Sequence, residues 1–340
     1  MSDDSKTPSP ALFLNTVNAY QRTRAISAAI ELEIFTTIGE GIESVQSLAQ
    51  KCQTSERGMR ILCDYLVILG FLVKEAQSYG LTPDSAMFLD RRSKAYMGDS
   101  VEFLLSPFIT NAFDDLATAV RQGGTVISSQ GTLSPENPVW VKFAKAMSPM
   151  MAMPAKLIAD MVNGDSQEHI KVLDISASHG LFGIAFAQRN PNAEICGVDW
   201  APVLEVAKQN AQEQGVGDRY HTIAGSAFDV DYGHDYDVVL LPNFLHHFDV
   251  ETCEKLLRKI HNSLSVVGRV VVFEFIPNSD RITPPSAAAF ALTMLATTPS
   301  GDAYTFAEYE SMFNNAGFSH CQLHSLPPTD HQLIIASNKQ

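Results

Sequence analysis

The sequence predicts an α/β fold. A mostly parallel sheet of seven strands, with helices on both faces and a C-terminal antiparallel hairpin, follows a helical, winged-helix unit. Three observations carry this. From Lys171 onward, short apolar runs alternate with helical segments, the pattern of parallel strands joined by crossover helices. The final two strand-like runs are joined only by "PPTD" (327–330), so they pair antiparallel beside an otherwise parallel sheet. Before Lys171 the period is helical, and residues 44–85 read helix, helix, hairpin.

Residues 1–10, "MSDDSKTPSP", read as a disordered tail. From Ala11 to about Ile38 the pattern is one helical stretch. Ala25, Ala28, Ala29, Leu32 and Phe35 give it a small-residue apolar stripe suited to close helix packing. A helix over 44–52 comes next, then one over 55–72 that starts with Ser55 as N-cap and stops at Gly70. Residues 71–85 form a hairpin turning near Gln77 and Ser78. Residues 86–165 are helical, broken at Pro107, at Gly123-Gly124 and across Pro135 to Pro138. Within them, Trp140, Phe143, Met147, Met150, Met151 and Met153 either line an adaptable apolar pocket or form plain core.

Strands are then expected over 171–176, 193–200, 220–225, 236–243, 268–276, 319–326 and 331–338. Helices are expected over 180–189, 201–214, 251–264 and 305–316. The resulting division is 1–95 as an N-terminal helical unit, 96–165 as a helical linker and 166–340 as the sheet domain.

Composition excludes several classes. The 340 residues suffice for two domains and a large core. A formal net charge of -14 repels a phosphate backbone, so no nucleic acid partner is expected. Five scattered cysteines (52, 63, 196, 253, 321) form no Cys-x-x-Cys pair, which argues against a disulfide framework or a zinc site. The polar N-terminus lacks an apolar signal core, and no apolar run reaches the roughly 20 residues that span a bilayer. A cytoplasmic protein with no membrane partner and no metal is expected.

In an open parallel sheet, ligands bind outside the C-terminal strand ends. Four such ends carry suitable residues. "VLDISASHGLFGI" (172–184) leads from Asp174 through Ser176, Ala177 and Ser178 to Gly180 at a helix start, where small residues permit a tight turn. Asp199 ends the second strand about 20 residues on, where an acid holds ribose hydroxyls, or else caps the helix that follows. "GSAF" (225–228) and "PNFLHHFD" (242–249) end the third and fourth.

With these residues, nearly the whole chain from about residue 11 resembles the class I S-adenosylmethionine-dependent methyltransferases. It resembles in particular the two-domain small-molecule O-methyltransferases of the plant caffeate and acetylserotonin type. The resemblance implies a Rossmann-like catalytic domain, an N-terminal winged-helix dimerisation domain and a homodimer. The family's D-x-G-G-G-x-G loop falls on Asp174 to Gly180, with Ser176, Ala177 and Ser178 in the glycine places. Its ribose acid falls on Asp199, with Trp200 beside the adenosine, and its G-D-x-F falls on Gly225, Ser226, Ala227 and Phe228. Its L-H-D-W-S-D-E-x-C falls without a gap on Leu245 to Cys253, which puts the stacking aromatic at Phe248 and leaves Asn243 among the cofactor residues. Its T-x-x-E-[FY]-x-x-[LM]-x-x-x-A-G-F falls on Thr305 to Phe318.

Methyl transfer to a hydroxyl is an in-line displacement that needs alignment and removal of a proton. The resemblance makes His246 the general base and Glu274 its partner; without it, His246 reads equally as a histidine at a helix start. The family's second glutamate falls on Ala303, a departure that implies an acceptor more acidic than an ordinary phenol. Neighbouring His247 is expected to point elsewhere and to be structural. Acceptor-pocket residues are expected at Trp140, Phe143, Met147, Met150 and, from the apolar stretch 285–300, Met294. That lining suits a flat hydrophobic small molecule. The alternatives are non-methylating chemistry on the same cofactor, C- or N-methylation, a winged-helix regulator and a nicotinamide enzyme. For the loop itself, ordinary φ values are expected from 176 to 178, with the turn made at His179-Gly180.

Overall fold

A computed structural model describes residues 8–128, 131–133, 137–163 and 166–338. Residues 1–7 of the expected tail over 1–10, part of the break near Pro135 and the 165/166 boundary lie outside the described residues. The chain divides into two compact units, Met1–Val101 and Glu102–Gln340.

In the first unit the expected single helix over 11–38 is three: Ala11–Val17, Ala19–Glu31 and Ile34–Gly39. Glu33, at φ 53°, turns the chain out of helical geometry between the last two. Ser44 and Ser55 cap helices Val45–Lys51 and Glu56–Ile68 by accepting the amides of Ser47 and Gly58. β1 (Leu72–Glu75) and β2 (Ser78–Leu81) pair antiparallel, with Glu75 opposite Ser78. The hairpin therefore turns at Ala76-Gln77, one residue earlier than expected, with Ala76 in the left-handed region at φ 53°. It ends at Leu81, because Thr82 and Ser85 form a capping box that starts helix Pro83–Phe88. Ile34, Phe35, Leu48, Met59, Leu66 and Tyr79 form the buried core of this unit. Helix Ala11–Val17 buries nothing.

In the second unit Pro107 starts a helix, Pro107–Thr110, rather than breaking one, because a proline at the first helical position sacrifices no hydrogen bond. Helix Leu116–Gln122 stops at Gly123, φ 78°. The long helix Val139–Asn163 runs through Pro149 and Pro154. The sheet follows as β3 (Ile170–Ile175), β4 (Ala193–Asp199), β5 (Tyr220–Ala224), β6 (Tyr236–Pro242), β7 (Leu264–Glu274), β8 (His320–Ser325) and β9 (Gln332–Ser337), in the order β5-β4-β3-β6-β7-β9-β8. The first five are parallel, and β9 runs antiparallel to both β7 and β8.

Strand side chains alternate between two cores. Val239, Leu241, Val270 and Val272 face Leu256, Ile260, Tyr309 and Phe313 on one side. Val238, Leu240, Val271 and Phe273 face Ile158, Phe182, Phe186 and Ala207 on the other. Being apolar on both faces, the central strands read as continuous hydrophobic runs. Truncating any of these buried leucine, isoleucine or phenylalanine side chains to alanine would cost about 2–5 kcal/mol. Strand order reverses between β3 and β6, which opens a crevice at their C-terminal ends. Helix Pro285–Thr297 has no counterpart in the expected elements. Among the described residues, no helix is long and apolar enough to cross a membrane.

Candidate active site

The loop after β3 departs from expectation. Ser176 (φ 58°) and Ser178 (φ 53°) are both left-handed, as is Gly180 (φ 75°). Three hydrogen bonds impose this. Ala177 N donates to Val198 O at 3.1 Å, Ser178 N to Asp199 Oδ2 at 2.9 Å, and Gly180 N to Ala177 O at 2.7 Å. Both serines hold a conformation that glycine adopts freely, at a cost of about 1–2 kcal/mol each. Gly180 is also required sterically, since a Cβ there would lie 2.9 Å from Tyr220 Oη and 3.0 Å from Ala207 Cβ.

Asp174 lies wholly buried beneath this loop. Its Oδ2 accepts from Gly183 N at 3.0 Å, while Oδ1 has no partner. Burial pushes its carboxyl up to about 8, against the pull of the Gly183 hydrogen bond. Asp199 holds two amides, Ser178 N and Trp200 N (2.7 Å), so it braces the loop rather than capping helix Ala201–Glu213. Burial raises it to about 6, with both hydrogen bonds opposing. His179, buried in the same loop, accepts from Leu181 N through Nδ1, and burial lowers it to about 4.

After β5, Ser226 Oγ accepts from Phe228 N at 3.2 Å and Ala227 is buried. Phe228 and Phe244 each meet Phe248 edge-on at 5.0 Å. Asn243, at φ 52° past the end of β6, points Nδ2 at Met151 Sδ and leaves its buried Oδ1 without a partner. The buried hydroxyl of Ser178 is likewise unpartnered.

His246 sits in a short 3-10 turn, Leu245–His247. Its Nδ1 is 2.5 Å from Glu274 Oε2, and Glu274 Oε1 accepts from Phe244 N (2.9 Å) and His246 N (3.4 Å). Three hydrogen bonds thus satisfy a carboxyl that has no solvent exposure. Asp302 N donates to His246 O, while the Asp302 carboxylate pairs with Arg281 at 3.1 Å. Ala303 is fully buried. His247 does not point clear of the site. Its ring centroid is 4.4 Å from that of His246 and meets Trp140 edge-on at 5.5 Å. Burial, then the His246 charge, holds His247 well below the ordinary imidazole value.

Trp140, Phe143, Met147 and Met150 pack with Phe103 in one apolar cluster. Met151 belongs to the sheet core instead, and Met153, 47% exposed, is turned to solvent. Met294 is buried in helix Pro285–Thr297, and Phe290 of that helix stands edge-on to His246 at 4.8 Å. Phe290 stacks on Phe275 (4.3 Å), Phe275 lies against His331 (3.8 Å), and His331 stacks on Phe273 (4.4 Å). Burial lowers His331 to about 3, so this aromatic wall is uncharged at neutral pH. Phe275, Phe290 and His331 escape the sequence reading. The available signal was Pro284-Pro285 ahead of an alanine-rich run, a helix start with no polar face to give it a period.

Two family models match the chain: the O-methyltransferase domain over residues 113–319 and the O-methyltransferase dimerisation domain over 14–91. A crystal structure from Nostoc punctiforme, described as a candidate O-methyltransferase, is 76% identical with a TM-score of 0.94, covering 97% of this chain and 99% of that one. Human N-acetylserotonin methyltransferase, solved in complex with SAM, has a TM-score of 0.84 at 21% identity over the full length of both chains. The tetracenomycin polyketide synthesis 8-O-methyl transferase of Streptomyces glaucescens is 26% identical over 321 residues, 91% of each chain.

Proposed function

From the premise that the chain belongs to the O-methyltransferase family, we propose that it moves a methyl group from S-adenosylmethionine to a hydroxyl of a small aromatic metabolite, with His246 as general base. The chain is an S-adenosylmethionine-dependent enzyme, and its crevice fits that cofactor chemically. Asp199 suits ribose hydroxyls, Phe228 and Phe248 offer aromatic walls for adenine, and the unpartnered Ser178 Oγ and Asn243 Oδ1 suit the polar methionine end. When bound, the cofactor supplies a methyl group made electrophilic by its sulfonium.

The Glu274–His246 pair carries this reading. With Nδ1–H donated to Glu274, the imidazole keeps its lone pair on Nε2, the atom left to take the acceptor's proton. Glu274 then stabilises the imidazolium. The surrounding rings exclude water and favour a flat, uncharged acceptor, and Ala303 leaves the histidine one carboxylate rather than two. An acceptor hydroxyl more acidic than a simple phenol needs less help from the base. In the same reading residues 1–95 pair two copies into a homodimer, 96–165 supply acceptor-side walls through Trp140, Phe143, Met147 and Met150, and 166–340 bind the cofactor.

The test is His246→Ala and Glu274→Gln assayed with labelled cofactor on a panel of phenols, quinols and hydroxylated polyketides. Both variants should lose at least about 100-fold in kcat, the range general-base catalysis contributes, while binding S-adenosylhomocysteine as the parent does. Turnover unchanged in His246→Ala rejects the base.

A further inference from the structure

Behind Phe228 lies a cation that the chemistry above does not use. Lys259, on helix Val250–Ser263, directs its ammonium at three backbone carbonyls: Ala227 O at 3.1 Å, Phe228 O at 2.9 Å and Val230 O at 2.5 Å. An ammonium has three donors and no acceptor, so this set is saturated. The same nitrogen lies 4.2 Å from the centroid of the Tyr232 ring, and the Tyr232 hydroxyl also donates to Ala227 O. The segment 226–230 is a single tight turn. Ser226 closes one end, its Oγ accepting from Phe228 N and its carbonyl from Asp229 N and Val230 N. Lys259 closes the other end, where the carbonyls of a turn left without amide partners otherwise need water.

We infer that Lys259 is a positioning residue for the adenosine end of the cofactor. By holding three carbonyls of one turn it fixes the backbone from which Phe228 projects toward Phe248. Ser226 carries no charge, so this stretch offers the cofactor an oriented aromatic wall and a hydroxyl in place of a carboxylate. The inference rests on the proposed placement of adenine against Phe228 and Phe248 and is independent of the acceptor and of His246.

The experiment is calorimetric titration of the full-length protein and of Lys259→Met and Lys259→Arg with S-adenosylhomocysteine and with 5′-methylthioadenosine, which lacks the amino-acid end. Methionine keeps the apolar stem over Tyr232 and removes the donors. Lys259→Met should raise both dissociation constants by about tenfold, the consequence of losing charge-assisted hydrogen bonds, with kcat at saturating cofactor changed less than about twofold. Lys259→Arg should recover most of the affinity. If Lys259→Met does not fold, Tyr232→Phe, which removes the second donor to Ala227 O, should raise both constants by about threefold. A folded variant that binds both ligands as the parent does, or one that loses kcat with unchanged binding, overturns the assignment.

Discussion

Ser178 combines two costs: a left-handed backbone and a buried hydroxyl with no partner. Glycine would remove both, at the expense of about 0.5–1 kcal/mol of extra chain entropy in the unfolded state. Ser178→Gly should therefore raise the unfolding free energy by about 1 kcal/mol in urea titration, and, on the proposed cofactor placement, it should weaken S-adenosylhomocysteine binding. Lower stability in that variant would mean the strain is relieved in some other way. Asp174 makes a pH prediction. Its ordinary value is near 3.8 and burial lifts it to about 8. From about pH 7.5 to 8, Asp199 (about 6) is ionised and the buried imidazoles of His179 (about 4), His331 (about 3) and His247 (held well below its ordinary value) are neutral, as all four are in the unfolded chain. Over that window the folded protein holds the Asp174 proton and the unfolded chain does not, so stability without ligand should fall as pH rises. Asp174→Asn should flatten that slope in denaturation curves taken across the window. At this scale the sequence is most legible where residues are chemically costly. Asp199, His246 and Glu274 stand out because acids and paired histidines at apolar strand ends need a reason. The φ angles of Ser176 and Ser178 are illegible, because Val198 and Asp199, more than twenty residues away, impose them.

Among the elements, strands betray themselves by apolar runs bounded by Gly, Pro and Asp, and all seven of the sheet fall where the runs predict. Helix Pro285–Thr297 is hidden for the opposite reason: a helix apolar on nearly every side has no period. The N-terminal stretch misleads differently, since its helical period continues across Glu33 while the backbone does not. Helix Val139–Asn163 offers a test at its own scale. Pro149 is exposed mid-helix, where its ring clashes with the preceding turn and it lacks an N–H for the Lys145 carbonyl. Pro149→Ala should stabilise the protein by about 1–2 kcal/mol, after allowing for the entropy the proline removes from the unfolded chain. Scanning calorimetry should show a rise in Tm of a few degrees. A fall would mean that the backbone geometry the proline fixes is needed for packing.

For the molecule as a whole, the first unit exposes an apolar helix: Leu12 is 80% and Phe13 68% accessible, with Leu14, Val17 and Tyr20 also exposed. An exposed apolar patch of this kind marks an interaction surface, and the dimerisation-domain match over residues 14–91 takes in Leu14, Val17 and Tyr20. Light scattering at micromolar concentration should give the mass of two chains, and Leu12→Glu with Phe13→Glu should give one. A parent that scatters as a monomer removes the dimer. The sheet order carries a consequence for synthesis. β9 follows β8 in the chain yet lies between β7 and β8 in the sheet. As the polypeptide leaves the ribosome, the strand bearing Glu274 therefore presents a bare edge until residues 332–337 emerge, and until then β8 has no strand to pair with. Strands β3 to β6 can assemble first, so the nascent chain's exposure to edge-to-edge aggregation falls on the β7 edge.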